Sequence, residues 1–457
     1  MKKVWQRFKK TINPPRKAAS GEIVSANAVV IPRDQHNISR RDISSAAIKV
    51  LNRLHEAGYG AFLVGGGVRD LLLGMHPKDF DVTTDATPEQ IRKLFSNSMI
   101  IGRRFRLVHV RYGREIIEVA TFRGAGALID DPADEAQPGI LLNDNVYGSM
   151  EEDAFRRDFT VNALFYNIAD YSLVDYCHGM RDLKSNQICV MGDPERRYRE
   201  DPVRMLRAVR LSAKLGFTIE PASAQPIAEM AELLNHVSPA RLFDEFVKML
   251  MGGKSELTFS QLQRYDLFTH LFEQTWNSIN GDRSVYTSAL VKAALQETDK
   301  RVNADKSINP AFMLAVLLWE PMQERVRVHQ DAGETLYSAM SIAQNEVVKE
   351  QMRQLAPPRR IVTAMREIWM LQYQFSQTRK HRIMRAFEHP RFRAAYDFLL
   401  LRVQAGEPLG ELAEWWTQFQ QADIPTQESM IDKPRSTGRP RRRRRSGPRK
   451  PPKVHHD

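Results

Sequence analysis

Between Asp42 and Ala57, apolar side chains recur at Ile43, Ala47, Val50, Leu51 and Leu54, the spacing that lines one face of a helix, and Gly58 ends the run. The period then shortens. Ala61–Val64 reads as a buried strand, Val68–Leu73 as a helix opening after three glycines, and Asp79–Thr83 as a second strand. Thr87 followed by Pro88 supplies an N-cap and a first helical residue for a helix reaching Phe95. Leu107–Tyr112 and Glu115–Phe122, separated by Gly113-Arg114, predict a hairpin. Gly124–Gly148 is rich in Gly, Pro, Asp and Asn and predicts a long, mobile loop near a site. Beyond Asp201 helical periodicity takes over as far as Phe419, after which Pro, Gly, Ser and Arg displace the apolar residues and no core can form. The expected α+β organisation is a basic N-terminal arm (1–41), a mixed-sheet head (42–182), an all-helical neck (183–253), a helical body (254–419) and a disordered, Arg-rich tail (420–457).

With 457 residues the chain is long enough for two or three domains with substantial cores. No stretch approaches the roughly 18 consecutive apolar residues that a spanning helix needs. The basic opening, Met1–Lys10, runs into Thr11-Ile12-Asn13-Pro14-Pro15 where an export signal requires an apolar run, so a cytoplasmic protein is expected. Cys177 and Cys189 form neither a CxxC pair nor a disulfide framework and read as inert thiols in a reducing compartment.

Charge changes the picture once it is apportioned. Lys433–Asp457 carries 11 Lys/Arg and one acid, and Met1–Ser20 carries 7 Lys/Arg and none, which leaves −5 of the net +12 on the remainder. A mildly acidic body with cationic ends suits arms that contact a polyanion, whether RNA, DNA or an anionic membrane. Val4, Trp5, Phe8 and Ile12 among the N-terminal lysines also permit an amphipathic surface helix.

The candidate chemistry lies in Leu63-Val64-Gly65-Gly66-Gly67-Val68-Arg69-Asp70 and Pro77-Lys78-Asp79-Phe80-Asp81-Val82-Thr83-Thr84. Glycines between a strand and a helix let backbone N–H groups approach a phosphate, and Arg69 adds a cation. On one strand Asp79 and Asp81 face the same side, a like-charge pair that is unfavourable unless cations intervene. Oxygen ligands that share substrate phosphates suit Mg²⁺, and a two-metal site assists in-line nucleotidyl transfer from a triphosphate such as ATP. Glu118 is a further carboxylate candidate on the hairpin, its alternative being a solvated strand residue. Lys78 leaves the opposite strand face and receives no role.

Together these segments resemble the nucleotidyltransferase superfamily typified by DNA polymerase beta, in its class II branch of bacterial poly(A) polymerases and tRNA CCA-adding enzymes. Two further matches agree: Arg156-Arg157-Asp158-Phe159-Thr160-Val161-Asn162-Ala163 and Glu200-Asp201-Pro202-Val203-Arg204-Met205-Leu206-Arg207-Ala208-Val209-Arg210. The resemblance assigns Arg157 and Asp158 to the ribose region of the nucleotide. It implies catalysis by Asp79, Asp81 and Asp158, with Gly65, Gly66 and Arg69 on the triphosphate. In the second match Asp201 reads as an N-cap and Pro202 as the first helical residue, which sets Arg204 and Arg207 on one face. Asp201 and Arg204 have the acceptor and donors to read an adenine edge, but cytosine fits the same pair, and Arg207 flanks them.

Ile100-Ile101-Gly102-Arg103-Arg104-Phe105-Arg106-Leu107-Val108-His109-Val110 is similar to the pattern of the poly(A) branch. CCA-adding relatives often append a phosphohydrolase domain with paired His and Asp ligands, and no His-Asp dipeptide occurs here before His456-Asp457. The resemblance thus implies template-independent addition of AMP to many RNA 3′ ends, a role in RNA decay together with decay machinery, and a monomer. A tRNA CCA-adding or A-adding enzyme and a non-catalytic RNA-binding protein are the alternatives. A P-loop enzyme is excluded, because Gly253-Lys254-Ser255 is preceded by Lys248 where the phosphate cradle needs glycine.

Overall fold

The computed structural model describes residues 28–102, 106–124, 146–281 and 285–432. Eight strands form the head sheet: β1 (Val29–Ile31), β2 (Ala61–Val64), β3 (Asp81–Thr84), β4 (Ser98–Ile101), β5 (Leu107–Tyr112), β6 (Glu115–Thr121), β7 (Leu164–Asn167) and β8 (Leu173–Asp175). Their order is β1-β8-β7-β2-β3-β6-β5-β4, with β3 and β6 parallel and the other neighbours antiparallel.

Because successive side chains alternate across a pleated strand, the sheet has two distinct faces. Leu63, Val82, Val108, Val119 and Tyr166 pack into the core beneath α1 (Ser45–Glu56), α2 (Gly66–Leu72) and α3 (Pro88–Leu94). α3 opens on a capping box in which the Thr87 hydroxyl accepts from Gln90 N and Gln90 returns the bond. The opposite face carries the register row Val174, Phe165, Val64, Asp81, Glu118, His109, Met99, one residue from each of seven strands. Phe62, Val64, Phe165 and Val174 on this face are covered by α4 (Met150–Phe155) and by Ala163 and Met191. That cover also takes in Phe122 just past the end of β6, but among the described residues it does not reach Glu118, His109 or Met99.

The chain then makes α5 (Gly179–Lys184), β9 (Gln187–Ile188), α6 (Pro194–Glu200), α7 (Val203–Leu215), β10 (Thr218–Ile219), α8 (Pro221–Glu229) and α9 (Pro239–Leu250), followed by helices through Asp432. α7 buries Met205, Leu206, Ala208, Val209 and Leu211, and Gly216 ends it at φ +69°. One apolar core runs from Phe159 and Val161 through α7 and on to Trp416 and Phe419.

Several sequence expectations need correction. Strand β3 begins at Asp81, not Asp79, because the start of α2 leans on the preceding turn: a methyl group at Gly67 would lie 3.2 Å from the Asp79 carbonyl oxygen. The sheet begins before residue 42, since Val29–Ile31 pairs with Leu173–Asp175 as an edge strand. The neck is not wholly helical, because β9 and β10 form a short parallel ladder. Helical structure also extends past Gln420 into Ile424–Asp432, where the Asp423 carboxylate accepts from Thr426 N and Gln427 Nε2 donates to the Phe419 carbonyl. The arm to residue 27, most of the Gly124–Gly148 loop, Arg103–Phe105 and the tail from Lys433 lie outside the described residues.

Candidate active site

Gly65 joins β2 to α2 at φ 77°, ψ −145°, a conformation that only glycine adopts without strain. A methyl group there would lie 3.5 Å from Arg157 Nη1 and 3.6 Å from Asp81 Oδ2. The glycine turn, an arginine and a strand carboxylate therefore converge on one point. Asp79 lies ahead of β3, near enough for its charge to bear on Asp81, and Glu118 is the register partner of Asp81 on β6.

Asp81 is solvent-accessible at the start of β3. Its pKa is pushed up to about 6 by partial burial and by Glu118, against the opposing effect of Arg157 and with a further contribution from Asp79. Oxygen donors gathered this way, with too little positive charge to balance them, suit a hard divalent cation. Among the described residues no group of three His, Cys, Asp or Glu is already gathered at metal-ligand spacing. His109, the register partner of Glu118, places Nε2 3.3 Å from Glu118 Oε1.

Arg69 is fixed but not free. It is buried, Nε donates to Asp70 Oδ1 at 2.8 Å, and Nη1 donates to Asn162 Oδ1 at 2.5 Å, so the side chain ties α2 to the segment after Asp158. Arg157 is held by Asp153 Oδ2 at 2.9 Å and lies over the Phe165 ring. Both residues stay beside the glycine turn.

Asp158 is buried, and its carboxylate is already engaged within the chain. Oδ1 accepts from Phe159 N at 2.9 Å and from Asn162 Nδ2 at 3.1 Å, and Oδ2 lies 2.5 Å from Arg207 Nη2. Burial alone would raise its pKa; Arg207 and the two hydrogen bonds outweigh that and hold it below the usual range. Burial likewise works against the Arg207 charge, and Asp158, Glu245 and Asp201 more than restore it.

Helix α7 starts one residue later than expected, at Val203, so Pro202 and not Asp201 is its N-cap; Asp201, one residue ahead, accepts from Val203 N through Oδ1 at 3.3 Å. Asp201 Oδ2 pairs with Arg241 Nη2 on α9 at 2.7 Å. Arg204 Nη1 donates to the Arg197 carbonyl at 2.7 Å and sits 3.4 Å from Glu200 Oε2; burial, then Arg197, lowers its pKa. Sequence reading passed over Asn162, Asp70, Lys214, Arg197 and Arg241. Asn162 stood inside a recognised motif; Lys214, whose Nζ meets Asp70 Oδ2 at 3.0 Å, and Arg241 gave no local signal because their partners are remote in the chain.

Gly65→Ala is expected to cost about 1–3 kcal/mol for the forbidden backbone geometry and to crowd Asp81 and Arg157. Thermal unfolding and nucleotide turnover measured together test this; an alanine variant unchanged in both would mean that the turn relaxes freely.

A mixed sheet whose glycine turn abuts an acidic strand, closed by an arginine-bearing helical neck, defines a nucleotidyltransferase of the class II kind. Solved structures share the fold: a Thermotoga maritima CCA-adding enzyme complexed with tRNA (TM-score 0.58, 18% identity, 90% of this chain and 92% of that one) and a Bacillus stearothermophilus CCA-adding enzyme in complex with CTP (TM-score 0.53, 23% identity, 80% of each). Three family models match: the poly A polymerase head domain over 61–189, the probable RNA and SrmB-binding site of polymerase A over 216–279, and the polymerase A arginine-rich C-terminus over 332–450. Poly(A) polymerase I of Salmonella typhi is 48% identical over 97% of this chain and 96% of its own length, and that of Haemophilus influenzae 45% identical over 88% and 90%. A CCA-adding enzyme of Lactobacillus helveticus is 41% identical, but over 48% of this chain and 53% of its own. The chain belongs to the poly(A) polymerase I family, and is with it a polynucleotide adenylyltransferase.

Proposed function

We propose that AMP is transferred from ATP to an RNA 3′-OH, without template, at the point where Gly65, Arg157 and Asp81 meet. That convergence is the observation that carries the reading. Asp79 and Asp81, with Glu118 beside them, supply the oxygen donors for Mg²⁺, which when bound neutralises triphosphate charge and lowers the pKa of the attacking hydroxyl. The glycine turn at Gly65 and Gly66 lets the triphosphate approach the backbone, and Arg157 balances its charge from the other side. Arg69 acts from beneath, holding α2 against Asn162, so its assignment is to position the turn as well as to add positive potential.

Asp158 joins the ribose region to the neck through Arg207, and Asp201 with Arg204 presents an acceptor and donors to the base edge. Base selection then comes from the protein. No helix among the described residues is long and apolar enough to cross a membrane. A monomeric, cytoplasmic enzyme whose products feed RNA decay is the cellular reading that fits the basic tail and the family.

The deciding assay offers the purified chain each NTP with an unstructured RNA primer and with a tRNA lacking its CCA end. Repeated AMP addition to the unstructured primer is expected; addition confined to the tRNA, with CMP accepted, would overturn the reading. Removing Lys433–Asp457 takes away a net charge of +10, so RNA affinity is expected to fall and its dependence on salt to flatten. Filter binding at two or more salt concentrations measures both, and an unchanged slope would exclude the tail as an RNA contact.

A further inference from the structure

The solvated face of an antiparallel ribbon ordinarily carries polar residues opposite an apolar inner face. Strands β4–β6 break that rule. Their inner positions Val108, Ile117 and Val119 join the core, yet Met99, Ile101, Leu107 and Ile116 point the other way and belong to none of the core clusters. Met99 is 55% and Ile116 42% exposed. Ile101 and Leu107 are half-buried, and among the described residues no apolar side chain closes over Met99 and Ile116, an exposure that marks a binding surface.

The face is continuous with the catalytic row. Met99 pairs with His109, His109 with Glu118 and Glu118 with Asp81, all on one side of the sheet. With strands about 4.8 Å apart, His109 lies about 10 Å and Met99 about 14 Å from Asp81 along that row. On the other side of Asp81 the same face is closed by α4. Arg111, two residues from His109 on β5, is exposed on the open side.

We propose that this open half-sheet, bounded by Met99, His109, Arg111 and Ile116, is the landing surface for single-stranded RNA, with the nucleotides behind the 3′ end stacked on it and the terminal hydroxyl at Asp81. The proposal rests on adenylyl transfer at Asp81. An acceptor strand has to arrive from the side that α4 leaves open. Bases of any identity stack on imidazole and guanidinium planes, here His109 and Arg111, while Met99 and Ile116 offer apolar surface that a base covers at the expense of water. Arg111 meets the backbone charge. Among the described residues of this face, Glu118, His109 and Arg111 are the polar side chains, and so short a polar set suits an enzyme that takes unrelated RNA ends.

The test uses the full chain with Met99→Ser and Ile116→Ser combined. Both side chains are exposed, so thermal unfolding should not change. The KM for an unstructured oligoribonucleotide primer is expected to rise about ten-fold, the loss that accompanies removal of a stacking partner, while the KM for ATP stays. A photoreactive residue at position 99 should crosslink to the last few nucleotides of a labelled primer. An unchanged primer KM would overturn the proposal, as would a crosslink to residues 125–145 of the same chain or to a second copy instead of RNA. Failure of the unaltered chain to transfer AMP would fault the reading of Asp81, whereas the crosslink reports the surface independently of turnover.

Discussion

Asp81→Asn is expected to lower AMP incorporation by on the order of a thousand-fold, since metal-assisted charge stabilisation is worth several kcal/mol and each 1.36 kcal/mol is a factor of ten. The same substitution is expected to stabilise the metal-free protein. In the folded state the Asp81 carboxyl is pushed up to about 6, above the usual carboxylate range, because burial, Glu118 and Asp79 oppose its charge. A raised carboxyl pKa means that the folded state holds the proton more tightly, so this group favours folding below the unfolded value and loses that contribution as pH rises through 6. At neutral pH the ionised group is a liability that the amide removes, on the order of 1 kcal/mol after solvent screening. Denaturant unfolding of the wild type and variant at pH 4.5 and pH 7.5, with and without Mg²⁺, measures it: the difference should open at the higher pH and close when Mg²⁺ is added to the wild type. A variant that is fully active, or no more stable at pH 7.5, would remove Asp81 from the centre of the site.

The second large effect is expected at Asp158→Ala. Asp158 is the buried partner of Arg207 and accepts from Phe159 N and Asn162 Nδ2, so its loss strands one cation and two donors where the head meets α7. Removing one member of a fully buried pair costs about 3 kcal/mol, and with the Arg207 side chain 40% exposed about half of that is expected here; replacing both by apolar residues of similar size can be nearly neutral. Asp158→Leu combined with Arg207→Met is therefore expected to recover most of the stability that Asp158→Ala loses, without recovering AMP transfer. Equilibrium unfolding and primer extension on the same preparations separate the two. A single variant within 0.5 kcal/mol of wild type would mean that the seam is held elsewhere, by contacts such as Lys214 with Asp70.

Much of the head was legible because its signals are local. The alternation in Leu107–Tyr112 and Glu115–Thr121, the Thr87-Pro88 cap and the glycines after β2 each act within a few residues, and the structure forms those elements. Ala28-Val29-Val30-Ile31-Pro32 carried a strand signal that was too short to weigh without its partner β8, and the edge strand was missed. Asp79 and Asp81 read as neighbours on one strand, but β3 begins at Asp81 and Asp79 lies ahead of it with its carbonyl against Gly67; the larger acidic influence on Asp81 comes from Glu118 on β6.

Sequence alone determined the residue types that can do this chemistry: carboxylates near a glycine turn, arginines at helical spacing, and the charge at the two ends. Tertiary structure decided which of them meet. Arg69 and Asp158 turned inward because a buried charge must find a partner, and those partners, Asn162 and Arg207, were fixed by packing between segments far apart in the chain. The same packing covered one half of the catalytic face and, among the described residues, left Glu118 and Met99 on the other half exposed. Period and propensity set each strand's two faces; only the order of strands and the reach of α4 set which face, and how much of it, solvent can enter.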